Sequence, residues 1–196
     1  YKPNLIEKLK QFSRVGIEIS IETTTTHNDY IRQGSEVEPV IDNIKKYKEL
    51  CTGTDISVTL RPAISALSIG QYHTLLNFAL KEQLLIKSLI VTDPGCLHPT
   101  VLPHNIRNSY INPYLQLLIE LEDEDINSDY NESNVDNYKR IVKQQLQLVI
   151  QLLRTKEVSS DLKSTVDLCK QWDQVYGFSA KELYPELLEI FDQYGY

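Results

Sequence analysis

The sequence predicts an α/β fold, in which helices alternate with the strands of a parallel sheet. Three short runs rich in β-branched residues are typical of buried strands, and they occupy residues 15–22, 56–60 and 86–91. Apolar residues at helical spacing fill the two intervals between these runs. Strands that are separated by helices pair in parallel, because each connection has to cross the face of the sheet.

The helices of the first half are justified in chain order. Residues 2–12 predict a helix that leads into the first strand. Residues 37–51 carry apolar side chains every three or four positions, and residues 69–83 repeat that pattern. The first half of the chain therefore predicts three helices, each followed by a strand.

The pattern of the sequence changes after Asp93. Several prolines follow within ten residues, and no further run is typical of a strand. Helices are predicted at residues 105–121, 135–155, 160–176 and 180–194, and the acidic stretch 122–134 between the first two predicts a surface loop. We expect two regions, residues 1–104 with the sheet and residues 105–196 as an α-helical C-terminal region.

The charge, the hydropathy and the cysteine content limit the classes of function that are expected. The net charge is -7 without a basic stripe, which argues against nucleic-acid binding. No apolar run approaches the roughly 18 residues of a membrane span, so a membrane partner is not expected. Three cysteines far apart fit a reducing, cytoplasmic environment and lack the spacing of a cysteine metal site.

The chain contains no methionine and begins with Tyr1. We therefore expect that the true N-terminus of the protein lies upstream of Tyr1.

Polar residues at the end of the first strand are the candidate site, because ligands of α/β sheets gather at the carboxyl ends of strands. Ser20 and Glu22 share one face by the period of two. Glu22 could bind a pair of sugar hydroxyls, and Arg32 in the following loop could bind a carboxylate in bidentate fashion. The alternative is that Glu22 and Arg32 form a structural ion pair with each other at the surface.

Other candidates are less specific. Arg61 ends the second strand and could point into a cleft or form an outward salt bridge. The four histidines lack metal-ligand spacing, and the chain has no phosphate-binding glycine loop.

Several stretches, taken in order, resemble the radical SAM superfamily, specifically proteins of that superfamily with a "twitch" C-terminal region. Residues 15–22 and 27–35 resemble the fourth barrel strand and its loop, and residues 37–47 resemble the helix that follows. Residues 59–69 are similar to the fifth strand, and residues 88–103 to the sixth strand with its proline-rich connection. Residues 172–187 resemble the closing helix pair. The resemblance implies an α/β fold that is the second half of a partial (β/α)6 radical SAM barrel, strands four to six, followed by the α-helical C-terminal region.

The resemblance also implies a cofactor and a reaction. A radical SAM enzyme cleaves S-adenosylmethionine reductively at a [4Fe-4S] cluster, and the 5′-deoxyadenosyl radical abstracts hydrogen from the substrate. Ser20 and Glu22 would lie at the ribose and methionine side of S-adenosylmethionine, and Arg32 would bind its carboxylate. The substrate, a peptide or a small molecule, is not indicated.

The family's cysteine triplet, C-x-x-x-C-x-x-C, is absent from the chain, and so is the Gly-Gly-Glu region that meets the methionine amine. We expect both upstream of Tyr1, and these 196 residues alone to be inactive. Because strands one to three would also lie there, we expect an open sheet edge and an isolated chain that aggregates or stays molten. In the C-terminal region Cys169 is the single cysteine, which argues against an auxiliary cluster.

Two other functions stay open. One is a non-catalytic scaffold or binding module that is derived from a barrel half. The other is a TIM-barrel enzyme that binds an anionic metabolite through Arg32 and Arg61.

Overall fold

A computed structural model describes residues 1–127, 134–156 and 161–196 of the chain. It has a mixed α/β fold with a parallel sheet of three strands, as the sequence predicts. The elements of the first half are, in chain order, α1 (Pro3–Leu9), β1 (Val15–Ile19), α2 (His27–Ile31), α3 (Val37–Cys51), β2 (Ile56–Leu60), β3 (Ala63–Ile64), α4 (Tyr72–Lys81), β4 (Leu85–Ile86) and β5 (Leu89–Ile90).

The three-stranded sheet has the order β1-β2-β4, so strands that follow each other along the chain are neighbours. β1 pairs in parallel with β2, with Val15 opposite Ile56, and β2 pairs in parallel with β4. α3 connects the first pair, and α4 connects the second. The prediction of a parallel sheet with helical connections is therefore confirmed.

β3 and β5 form a further parallel pair, which extends the β2–β4 pair in the same register. Thr59 pairs with Leu85 and Ala63 pairs with Leu89, so the offset between partners stays constant across the gap. The interruption falls at Pro62, which has no N–H to donate to the ladder. The third predicted strand, residues 86–91, is thus one extended segment with a break, and not two unrelated strands.

The second half of the chain is helical, as predicted. Two 3₁₀ turns, Gly95–Leu97 and Pro99–Val101, occupy the proline-rich connection. The helices that follow are α5 (His104–Ser109), α6 (Ile111–Asn127), α7 (Asn134–Arg154), α8 (Leu162–Tyr176), α9 (Ala180–Leu183) and α10 (Leu188–Gln193), with a 3₁₀ turn at Pro185–Leu187.

Two predicted helices are divided by prolines. The helix predicted at residues 105–121 is split after Ser109, because Pro113 lies in the first turn of α6 and cannot continue a hydrogen-bond ladder from α5. The helix predicted at residues 180–194 is likewise interrupted before Pro185.

The surface loop predicted at residues 122–134 is wrong at both of its described ends. α6 continues to Asn127, and α7 begins at Asn134. The rest of that stretch, residues 128–133, lies outside the described residues.

One hydrophobic cluster contains buried side chains from both predicted regions, among them Leu76 of α4 and Val142 of α7. α7 lies against α4 and against β4. The division at residues 104 and 105 stays a prediction, and the two regions share their core. Among the described residues, no helix is long and apolar enough to cross a membrane.

Candidate functional site

A cleft of about 510 Å³ opens beside the segment that follows β1. Its lining comes entirely from residues 20–35: Ser20, Glu22, Ile31, Arg32, Gln33, Gly34 and Ser35. The structure thus brings together all three predicted site residues, Ser20, Glu22 and Arg32. Ser20 is exposed, so its hydroxyl is accessible to a ligand.

Glu22 and Arg32 form a bidentate ion pair in this cleft. Arg32 Nη2 donates to Glu22 Oε1 at 2.9 Å, and Arg32 Nε donates to Glu22 Oε2. Glu22 is only 2% exposed, whereas the Arg32 side chain is 37% exposed. The pairing that the sequence left open does form, with a partly exposed guanidinium and a buried carboxylate.

The short helix α2 holds both partners of the pair. The Glu22 backbone N–H donates to Asn28 Oδ1 at 2.9 Å, and the Arg32 backbone N–H donates to Asn28 O at 2.8 Å. Asn28 is completely buried. One asparagine therefore fixes the backbone of the site carboxylate and of the site arginine.

A turn after Arg32 closes the cleft. Gly34 has φ +82°, a conformation that side chains with a Cβ rarely adopt. The Ser35 N–H donates to Arg32 O at 2.9 Å across this turn. Gln33 also lines the cleft, and its buried Nε2 has no hydrogen-bond acceptor.

The cleft is electrically balanced. Glu22 and Arg32 are its charged lining residues, and their formal charges cancel. Arg32 has five N–H donors and uses two of them on Glu22, so further donors remain for a ligand. Such a site suits a neutral or zwitterionic ligand with hydroxyl and carboxylate groups better than a highly charged anion.

His27 lies at the start of α2, on the side away from Asn28. Its Nδ1 is 3.1 Å from Thr25 Oγ1, and its ring meets the Tyr184 ring edge-on at 4.9 Å. Burial lowers the pKa of His27, while a backbone hydrogen bond at Leu183 and the charge of Glu186 oppose that shift. His27 packs against Tyr184 and is not among the cleft residues.

Arg61 is not part of the cleft. Its Nε lies 3.3 Å from Glu18 Oε2, in a pair whose side chains are 36% and 56% exposed. Of the two alternatives that the sequence left for Arg61, the structure places it in a salt bridge.

The three cysteines are free and buried. Burial raises the pKa of the Cys169 thiol to about 12, and burial also raises the pKa of Cys51 and Cys96. In the described part of the chain, no group of three His, Cys, Asp or Glu residues could hold a metal ion. The described residues therefore do not fit a [4Fe-4S] cluster.

Sequence reasoning missed Asn28 and Gln33. Asn28 follows His27 in a polar stretch that has no apolar periodicity, and nothing in the pattern showed that it is buried. A signal was available for Gln33. The glycine that follows it, Gly34, indicates a tight turn, and a tight turn can direct Gln33 towards the preceding residues.

Comparisons with models of protein families, with curated proteins and with solved structures found no significant match for this chain.

Proposed function

We propose that the chain is part of a radical SAM enzyme and that the cleft after β1 binds S-adenosylmethionine. The observation that carries the proposal is that Ser20, Glu22 and Arg32, which the resemblance assigns to that cofactor, line one cleft. A cleft of about 510 Å³ is within the usual range for small-molecule sites.

The topology supports the same proposal. In a (β/α) barrel each strand is the neighbour of the next strand along the chain, and β1, β2 and β4 follow that order. The partial barrel, with these strands as its fourth to sixth, is part of the proposal. The cleft lies at the carboxyl end of β1, where barrel enzymes bind their ligands.

Two of the cleft groups would have a partner in the proposed cofactor. The Ser20 hydroxyl would meet a ribose hydroxyl, and the Arg32 donors that Glu22 does not use would bind the methionine carboxylate. Glu22 holds the guanidinium in position through two hydrogen bonds. The chain lacks the cysteine triplet that would hold the cluster, so the ligands of the cluster would have to come from elsewhere.

The test is binding of S-adenosylmethionine by protein that includes the sequence upstream of Tyr1 and has been reconstituted with iron and sulfide. Titration calorimetry on Ser20→Ala and Arg32→Met should show affinity about tenfold or more below that of the parent. The matched control is Arg61→Met, because Arg61 is an equally exposed arginine in an ion pair outside the cleft. Unchanged affinity in both cleft variants, or an equal loss in the control, would falsify the assignment.

A second candidate is a non-catalytic scaffold. The observation that favours it is that Glu22 and Arg32 satisfy each other, so the pair is stable without a ligand. The coding sequence upstream of Tyr1 separates the two functions. An open frame that encodes C-x-x-x-C-x-x-C supports the enzyme, and a stop codon supports the scaffold.

The TIM-barrel alternative has less support. It requires Arg32 and Arg61 to attract an anion together, but Arg61 is not among the cleft residues and forms a salt bridge with Glu18.

A further inference from the structure

α2 presents two different faces to its surroundings. Asn28 and the C-cap residue Arg32 are four residues apart and lie on one side of the helix, whereas Tyr30 lies roughly 160° from both around the helix axis. Tyr30 packs against Trp172 of α8 and against Phe178 and Tyr184, which flank α9. α2 therefore lies between the cleft and the C-terminal helices.

Tyr30 is the centre of the contact with the C-terminal helices. It is completely buried, and its ring meets Trp172, Phe178 and Tyr184 edge-on, at centroid distances of 5.6, 5.8 and 5.7 Å. Its hydroxyl donates to Cys169 O at 3.3 Å. Edge-to-face pairs of this kind are stabilising beyond the area that they bury.

The C-terminal side of this contact is itself held in place. Asp173 Oδ2 accepts a hydrogen bond from the Ala180 N–H at 2.7 Å and another from the Tyr196 hydroxyl. Asp173 thereby ties α8 to the start of α9 and to the chain end. These hydrogen bonds hold in place the segment that carries the rings around Tyr30.

Among the described residues, none of the C-terminal region lines the cleft, whose lining comes from residues 20–35. The C-terminal helices contact this part of the chain through α2. The connections include Tyr30, two residues before Arg32, and His27, which meets Tyr184 edge-on and has a backbone hydrogen bond at Leu183.

We infer that Tyr30 is a positioning residue, through which the C-terminal helices fix α2 and so hold Arg32 against Glu22 in ligand-binding geometry. The inference rests on the proposed function for the identity of the ligand, but not for the positioning itself. The C-terminal region is then a part of the site that never touches the ligand.

The direct readout is the Arg32 Nε–H signal in ¹⁵N NMR spectra, because that proton is donated to Glu22. In Tyr30→Leu the solvent exchange of this proton should be about tenfold faster, since the three ring contacts are lost. Trp172→Leu, made from the opposite side of the contact, should accelerate exchange in the same direction. Tyr30→Phe keeps the ring contacts, removes the hydroxyl and its bond to Cys169, and should stay within about threefold of the parent.

The matched control is Tyr114→Leu. Tyr114 is also completely buried, donates its hydroxyl to the backbone oxygen of Ile69 and meets His73 edge-on, and neither of these partners belongs to α2. It should destabilise the fold to a similar extent and change Arg32 Nε–H exchange by no more than about twofold. If Tyr114→Leu accelerates exchange as much as Tyr30→Leu does, or if Trp172→Leu has no effect, the positioning role is refuted.

A second measurement separates this inference from the proposed function. S-adenosylmethionine affinity of the reconstituted protein should fall about tenfold in Tyr30→Leu and remain near the parent value in Tyr114→Leu. Faster Arg32 exchange without any binding of S-adenosylmethionine by the parent would uphold the positioning role and overturn the proposed ligand. If the parent binds S-adenosylmethionine but Arg32 exchange is unchanged in Tyr30→Leu, the proposed ligand is upheld and the positioning role is overturned.

Discussion

Glu22 and Arg32 share one ion pair but occupy different environments. The carboxylate is 2% exposed, and the guanidinium side chain is 37% exposed. A charge that loses its partner costs most where water cannot reach it. The two halves of the pair should therefore respond unequally to substitution.

Arg32→Met should lower the free energy of unfolding by about 3 kcal/mol at pH 7, because it strands a buried carboxylate. Glu22→Gln should cost about 1 kcal/mol, because the guanidinium that remains can turn to water and the amide oxygen can still accept. Urea denaturation of the two variants measures the difference.

The control for this comparison is Arg61→Met, which breaks an exposed pair and should change the free energy of unfolding by no more than about 0.5 kcal/mol. Equal losses in Arg32→Met and Glu22→Gln would contradict the unequal environments.

His27 and His73 are the residues that should make the stability depend on pH near neutrality. Burial is the largest cause of a lowered pKa in both, opposed in His73 by a backbone hydrogen bond at Gly70. The unfolded chain therefore binds protons at a higher pH than the folded chain does. Their destabilising effect is absent above the unfolded pKa of about 6.5, and it grows as the pH falls towards the folded pKa.

We expect the free energy of unfolding to decrease between pH 7.5 and pH 5.5, by at most about 1.4 kcal/mol per pH unit for each histidine. Urea midpoints across this range measure the slope. The double variant His27→Gln/His73→Gln should flatten it, and an unchanged slope in that variant would assign the effect to other groups.

The end of α7 depends on one buried arginine from α5. Arg107 is completely buried, and it donates Nε to Leu102 O at 2.9 Å and Nη1 to Leu152 O at 3.0 Å. The last carbonyl groups of a helix have no partner within the helix. Arg107 supplies a donor to α7 there, and it joins α7 to the loop before α5.

Arg107→Met should lower the free energy of unfolding by about 3 kcal/mol, because buried carbonyl oxygens would lose their donors. Arg140 of α7 offers a control, since it is exposed and donates to Asn137 Oδ1 on its own helix at 2.9 Å. Arg140→Met should stay within about 0.5 kcal/mol of the parent in thermal or urea unfolding. A similar loss in both variants would show that Arg107 has no special role at the end of α7.

The elements that could be predicted are those whose side-chain pattern is periodic. α3 was predicted at its observed bounds because Val37, Ile44 and Cys51 repeat at helical spacing and are buried. α2 was missed, because its five residues include a histidine, an asparagine and an aspartate and it is held by the contacts of Asn28 and Tyr30. Such contacts join distant parts of the chain and leave no local pattern.

The candidate site was predictable in part for the same reason. Ser20, Glu22 and Arg32 could be found because they follow a strong strand signal. The contact of Tyr30 with α8 could not be found, since it depends on a surface that is formed more than 100 residues later in the chain. The burial of Glu22 could not be found either, because the polar stretch around it carries no pattern that indicates burial.

The two edge strands of the sheet, β1 and β4, differ in what packs beside them. α7 lies against β4 at one edge, whereas β1 has a strand partner on one side only among the described residues. The register of β1 with β2 directs the N–H and C=O groups of Gly16 and Glu18 to the open side. An open edge of this kind can pair with another chain.

We expect concentration-dependent self-association of the chain, measured by sedimentation velocity. Gly16→Pro should reduce it at least about tenfold in association constant, because proline removes an outward N–H and is tolerated on an edge strand. Gly16→Ala is the matched control, since it keeps the N–H and its Cβ would meet Ser57 Oγ at an ordinary 3.8 Å. Equal association of the two variants would place the self-association elsewhere.

The contact between Tyr30 and Cys169 also has a kinetic consequence. It joins residues 139 apart in sequence, whereas Thr59 and Leu85 of the sheet pair across 26 residues. Closing the longer loop costs about 1.5 kcal/mol more, which is about a tenfold lower probability of encounter in the unfolded chain. The sheet should therefore form early in refolding, and α2 should be among the last segments to be fixed. Weakening the Tyr30 contact would then accelerate unfolding and leave the refolding rate almost unchanged.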